Sequence, residues 1–314
     1  MRYALGLLTL CVLATISIFI GVIDLTQEID ALAVILVSRI PRTLAVIIAG
    51  SGLAIAGSIM QMLVRNRFVE PMTAGTGQGA ALGILLAVLV FPDASVIAKM
   101  VIASLAALCA SFIFLAIVRK IPPTQPLLVP LVGLIYGGLI GAAVTFIAYQ
   151  ADLLQYLDVW LNGEFSGVLQ GRYELLWIAA AVALFSYFIA DQFSILGMGE
   201  AISVNLGLNY QQVMAMGLLT VSIVSALTVV TVGAIPFVGL VVPNIVSRLY
   251  GDNLRNTLPL MAIWGAGAVL VSDILGRLLR YPFEIPAGTM FGILGTLLFL
   301  YLLYAPQRHI SDPR

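Results

Sequence analysis

Acidic and basic side chains are so sparse in this chain that they cut it into uncharged intervals of membrane-spanning length. The intervals are Tyr3 to Ile23, Thr43 to Val64, Pro71 to Pro92, Met100 to Val118, Ile121 to Ala151, Leu175 to Ala190, Ala201 to Ser247, Asn256 to Ser272 and Ile285 to Gln307. A helix needs about 20 apolar residues, rising ~1.5 Å each, to cross a hydrocarbon core of about 30 Å. Ala201 to Ser247 is 47 residues long and holds two such elements, which makes ten in all. With 61% hydrophobic and 10% charged residues the chain lacks the polar surface of a soluble globule. Unbroken apolar runs also exclude a membrane β-barrel, whose strands alternate and are about 10 residues long. The expected fold is an all-α polytopic membrane protein, one transmembrane domain over residues 1–314. Its connections are too short for a soluble domain.

Inside the 47-residue interval the stretch GAIPFVGLVVPNIVSRLYG, Gly233 to Gly251, is interrupted by Gly233, Pro236, Gly239 and Pro243. A helix from Phe237 to Leu249 would be only about 20 Å long. Such half-length elements persist in a membrane where neighbouring protein or a watery cavity satisfies the freed backbone groups, so they mark the pathway of a transporter. Small residues at i, i+4 (Gly75/Gly79, Gly133/Gly137, Gly137/Gly141, Gly288/Gly292) predict close helix packing.

An N-terminus in the cytoplasm and ten alternating spans put Arg2, Arg65, Arg67, Arg119, Lys120, Arg248, Arg255, Arg308 and Arg314 inside, with both termini cytoplasmic. The other side receives six basic residues and ten of the fifteen acids. The initial apolar run is read as a first span, since it lacks a small-x-small cleavage site. No basic cluster exceeds two residues, which gives no footing for nucleic acid.

Arg39 and Arg42, in RIPR at the outer start of the second span, suit acidic groups on an outside partner or serve as interfacial anchors. Asp273 and Arg277 are spaced i, i+4 and offset each other's charge, while Glu284 before Pro286 suits a helix N-terminus. The cytoplasmic run Gly199-Glu200-Ala201-Ile202-Ser203-Val204-Asn205-Leu206-Gly207 reads as a short helix between glycines, able to dock in a partner's groove or simply to connect. Cys11 and Cys109 read as small hydrophobes in spans, and His309 as a tail residue. No G-x-x-x-x-G-K-[ST] loop, nucleophile–base set or metal-ligand cluster is present, so neither ATP binding nor catalysis is expected of this chain, and no cofactor.

Taken in order, RIPR (39–42), AGSGLAIAGSIMQ (49–61), RNRFVEPMTAGTGQGA (65–80), WLNGEF (160–165), GEAISVNLG (199–207), the broken segment, DILGR (273–277) and EIPAG (284–288) resemble the permease subunits of the iron-siderophore and cobalamin family of bacterial ABC importers. The resemblance implies a ten-span subunit that pairs with a second permease, as a homo- or heterodimer. The pair would sit on two cytoplasmic ATPase subunits in the inner membrane and receive cargo from an extracytoplasmic binding protein. It also implies that Arg39, Arg42 and Arg277 meet that binding protein and that Gly199, Glu200, Ala201, Ser203, Leu206 and Gly207 engage the ATPase. Arg67-Phe68-Val69-Glu70-Pro71, Asn244 and Gly295 to Phe299 depart from the family's usual runs. A ferric siderophore is the expected cargo, with cobalamin or haem as the alternative. An ion-coupled secondary transporter, the rival class, would need acids deep in the spans, and Asp273 is its main candidate.

Overall fold

The computed structural model describes residues 2–21, 30–118, 120–121 and 128–304. Arg119, Arg308, His309 and Arg314 lie outside them. The helices are α1 (Arg2–Phe19), α2 (Ala31–Val34), α3 (Ile40–Val64), α4 (Thr76–Val90), α5 (Val96–Val118), α6 (Leu128–Gln150), α7 (Leu154–Leu161), α8 (Leu175–Phe188), α9 (Ala190–Gly197), α10 (Glu200–Asn205), α11 (Tyr210–Val232), α12 (Val238–Tyr250), α13 (Leu254–Leu279) and α14 (Ala287–Tyr304). A π turn, Ile35–Arg39, joins α2 to α3, and a 3₁₀ turn, Pro71–Ala74, precedes α4.

Among the described residues seven elements are long and apolar enough to cross a membrane, or eight if α8 with α9, bent by 69°, forms one span. That is fewer than the ten that charge spacing predicts, since α4 and α12 are apolar but shorter. The broken helix runs from Val238 to Tyr250, shifted one residue toward the C-terminus from the expected bounds.

Helix α3 is the axis of the bundle. Its most apolar window is 83% buried against 6% for α1, and α13, α11 and α12 pack around it. Where α3 meets α13, a Cβ on Gly50 would stand 2.5 Å from the Gly265 carbonyl oxygen. Where it meets α12, Gly57 lies directly against the backbone of Gly239. Crossings this close bring backbone dispersion contacts that no larger side chain permits. A second apolar cluster joins α4, α5, α6 and α11 around Ile84, Leu85, Met100 and Val229.

The i, i+4 glycine pairs have mixed roles. Gly79 and Gly83 seat α4 on Ala110 and Ala103 of α5, and Gly288 abuts Gly163. Gly137 and Gly141 only flank the Gln78 side chain. The tightest glycine–glycine contacts, Gly50–Gly265 and Gly57–Gly239, join glycines about two hundred residues apart. Cys11 and Cys109 are both free and exposed, which in a bundle of this kind fits the lipid-facing side of a span.

Candidate functional site

Three features concentrate polar chemistry in an otherwise apolar bundle. The first is a cluster of five charged side chains at one end. Asp273, with 2% of its surface exposed, sits between two arginines. Arg42 Nη2 reaches Asp273 Oδ1 at 2.7 Å, and Arg277 Nη2 reaches Asp273 Oδ2 at 2.7 Å. Arg42 also donates through Nη1 to Glu284 Oε1 at 3.0 Å. Arg277 spends its remaining donors on α1, with Nη1 2.9 Å from the Ser17 carbonyl and 2.8 Å from that of Ile20, and Nη2 2.7 Å from Ser17 Oγ. Arg39 donates to the carbonyls of Ile18 and Ile20. The last carbonyls of α1 have no intrahelical donor and carry the negative end of its dipole, so guanidinium groups both cap and neutralise them.

The i, i+4 pairing of Asp273 with Arg277 forms as expected. Glu284, expected to serve a helix N-terminus, is instead a counter-ion of Arg42. Arg39, Arg42 and Arg277 lie together, as a common docking role requires, but not as an open cationic face. Arg39 and Arg277 are 7% and 4% exposed, and all three guanidinium groups have partners within the chain. What an approaching molecule meets is their net field, since three arginines against two carboxylates leave one positive charge.

The second feature is the break between α11 and α12. Gly233, at φ +78°, ends α11, and Phe237, at φ +68°, opens α12. The freed backbone is satisfied by three neighbours. Ala234 pairs with Asn162 as an isolated parallel bridge, with Ala234 N–H donating to Leu161 O at 2.9 Å and Glu164 N–H to Val232 O at 2.9 Å. Glu70 Oε1 accepts from Phe237 N–H at 3.2 Å. Gln61 Nε2 donates to Gly239 O at 3.2 Å. The last bond has a direct cause. Pro243 has no N–H, so the Gly239 carbonyl four residues earlier loses its helical donor, and α3 supplies one. Of the expected break residues, Gly233, Gly239 and Pro243 are buried and Pro236 is half-buried, against Gly292 of α14. The break is thus enclosed by protein in this chain.

Gln61 and Glu70 were not singled out from the sequence. Pro243 signals that a donor is needed, but nothing local says that it comes from a residue 178 positions before the Gly239 acceptor. Gln61→Ala should leave the buried Gly239 carbonyl unpaired and destabilise the chain by about 1–3 kcal/mol, read as a lower midpoint in denaturant.

The third feature lies at the opposite end. Gly199, at φ +111°, and Gly207, at φ +82°, bracket α10, so the expected short helix between glycines exists. Ser203 Oγ ties it down through Gly199 O at 2.8 Å and Ile195 O at 3.1 Å. Ile202, Val204 and Leu206 remain exposed, as do Glu200 and Ala201. Beside it opens a cleft of about 660 Å³ lined by Arg65, Glu200, Tyr210 and Met214 among others. Arg67–Asp252 and Arg255–Asp191 pair across the same end of the bundle at 2.6 and 3.1 Å.

Residues 4–305 match the model of the FecCD transport family. The chain belongs to that family. Among FecCD relatives, it is 45% identical to the petrobactin import system permease protein YclN of Bacillus subtilis, over 94% of this chain and 95% of the relative. It is 42% identical to the ferric-anguibactin transport system permease protein FatD of Vibrio anguillarum, over 96% and 97%. A vitamin B12 import system permease, BtuC of Vibrio cholerae, is 33% identical over 84% and 81%. The fold matches a solved inward-facing putative metal-chelate type ABC transporter with a TM-score of 0.83 and 27% identity, covering 96% of this chain and 98% of that one. As a FecCD permease it is a multi-pass membrane transport subunit.

Proposed function

We propose that the chain is the membrane permease of an ATP-driven importer that carries a ferric siderophore into the cell. The supporting observation is near full-length identity, at 45% and 42%, to permeases named for petrobactin and ferric anguibactin, against 33% for one named for vitamin B12. Asp273 also bears on the choice. An ion-coupled carrier needs a carboxylate able to bind and release its ion, whereas Asp273 is held at 2.7 Å by two guanidinium groups.

In this reading the five-charge end faces outward, and its net positive field attracts an acidic binding protein around Arg39, Arg42 and Arg277. The end that carries α10 faces the cytoplasm in the inner membrane, with both termini on that side. Two ATPase subunits engage Gly199 to Gly207, where Glu200, Ala201 and Leu206 are exposed and Ser203 anchors the helix. A second permease, the same chain or a sister, completes the pathway. ATP hydrolysis on the partners shifts the bundle between outward and inward openings, and the permease contributes shape rather than chemistry.

Proteoliposomes holding the permease, its ATPase and its binding protein test this reading with an iron-55 siderophore. Uptake is expected only with ATP inside and binding protein outside. Uptake driven by an ion gradient without ATPase, or of cobalamin in place of the siderophore, would overturn it. A cysteine at Leu206, in a chain whose Cys11 and Cys109 are replaced by Ala, should crosslink to the ATPase. An adduct only from another connection would move the coupling site.

A further inference from the structure

The faces of α1, α13 and α14 border an apolar groove of about 680 Å³ whose lining contains none of the residues named above for docking, coupling or the break between α11 and α12. Leu5 and Leu13 form one wall, Leu294 and Leu298 the other, and Ile263 and Gly267 the floor. The floor is open because Gly267 has no side chain, and a Cβ built there meets no atom within 4 Å. The lining runs along α13 from Leu260 to Ser272, about 18 Å at ~1.5 Å per residue. That is close to one leaflet of a hydrocarbon core about 30 Å thick.

The mouth is cationic. Arg2 stands at the start of α1, exposed, its Cζ 5.3 Å above the ring of Tyr250. Tyr3 Oη donates to the Asn256 carbonyl at 2.9 Å and pins this end of α1 to α13. The carboxylates nearby are already engaged, Asp252 with Arg67 and Asp191 with Arg255, and among the described residues Arg2 has no acidic partner. A single unpaired cation at the mouth of an apolar groove one leaflet deep matches the charge and shape of a phospholipid, with phosphate at the cation and one acyl chain below.

We propose that this groove is a binding site for one anionic phospholipid, its acyl chain lying over Gly267 and its headgroup held by Arg2. The ring of Tyr250 under the guanidinium keeps the cation at the interface. The groove differs from the bare bilayer-facing surface of α1 in having two walls, so an acyl chain there contacts protein on three sides and exchanges slowly with bulk lipid.

The test is native mass spectrometry and lipid extraction on the assembled importer, purified from bilayers of equal phosphatidylglycerol and phosphatidylcholine. The wild-type chain should retain one phosphatidylglycerol per copy. Gly267→Leu places a side chain in the floor from a Cβ that meets no atom within 4 Å, and should lose it while keeping its size-exclusion profile and thermal midpoint. Arg2→Gln should still retain a lipid, with its preference for phosphatidylglycerol reduced about fivefold. Lipid retention unaltered by Gly267→Leu, or no retained lipid in the wild type, would overturn the proposal. So would a Gly267→Leu variant whose change is in the number of permease copies, which would make a second copy the occupant. None of these readouts uses transport, so the cargo assignment stands or falls separately.

Discussion

Asp273→Ala is expected to destabilise the folded chain by about 3–5 kcal/mol, because it leaves Arg42 and Arg277 buried side by side with their shared counter-ion gone. The magnitude follows from burial, since the Asp273 side chain is only 1% exposed and water cannot replace the lost carboxylate. The control is Asp252→Ala at the opposite end. It breaks an ion pair of similar length, 2.6 Å, but with side chains 60% and 54% exposed, so its cost should be under about 1 kcal/mol. Denaturant unfolding in detergent, followed by intrinsic fluorescence, compares the two. Equal midpoints would mean that water or lipid headgroups reach the cluster. For the same reason a triple Arg39, Arg42, Arg277→Glu variant reports on folding before it reports on docking, since five carboxylates would then share one site. Binding-protein affinity should therefore be measured on the milder Glu284→Gln, which adds to the positive field and is expected to tighten docking.

Gly57→Ala should be the most damaging methyl that can be added to this bundle. Its Cβ would fall on the Gly239 backbone, and neither helix can yield: α3 is the axis, and α12 is held by Gln61 and Glu70. Overpacking typically costs about 1–3 kcal/mol, and a backbone neighbour places this case at or above the upper end. Gly239→Leu tests the same crossing from the other side, where even a Cβ stands 2.9 Å from Pro71 Cδ and 3.1 Å from Leu53 O. Gly138→Ala, with nothing within 4 Å, is the matched control. Iron-limited growth at equal membrane abundance should fall at least tenfold for Gly57→Ala and stay at wild-type level for Gly138→Ala. Equal growth would show that the break and its crossing are not needed for transport.

The spans were legible because charge is expensive in hydrocarbon, and the intervals between charges are therefore a direct record of the membrane. The broken helix was legible because Gly233, Pro236 and Pro243 punctuate an apolar run too short to cross. Local spacing likewise exposed Asp273–Arg277. What sequence could not supply was any partner far along the chain. Glu284 looked like a cap because its nearest neighbours are a proline and a helix start, yet it serves Arg42, 242 residues away. Arg39, and Arg277 beyond its pairing with Asp273, looked free for a partner because the groups they satisfy are mostly backbone carbonyls at the end of α1, which no residue type encodes. Helix α7 passed unnoticed inside the polar stretch after α6, where eight residues with one buried leucine give too short a pattern.

The attachment of α1 also bears on how the protein is made. Ser17 is its only buried residue, and besides the packing of Leu10, Leu13 and Ala14 on the core the helix is held through its last carbonyls by Arg39 and Arg277. The second of these moorings joins positions 260 residues apart. At ~5–20 residues per second of synthesis, the first helix waits roughly 13–50 s in the bilayer before its final anchor emerges. A chain that stalls before α13 therefore leaves the Ser17 carbonyl without its guanidinium donor, and the far end of the first helix is held by Arg39 alone.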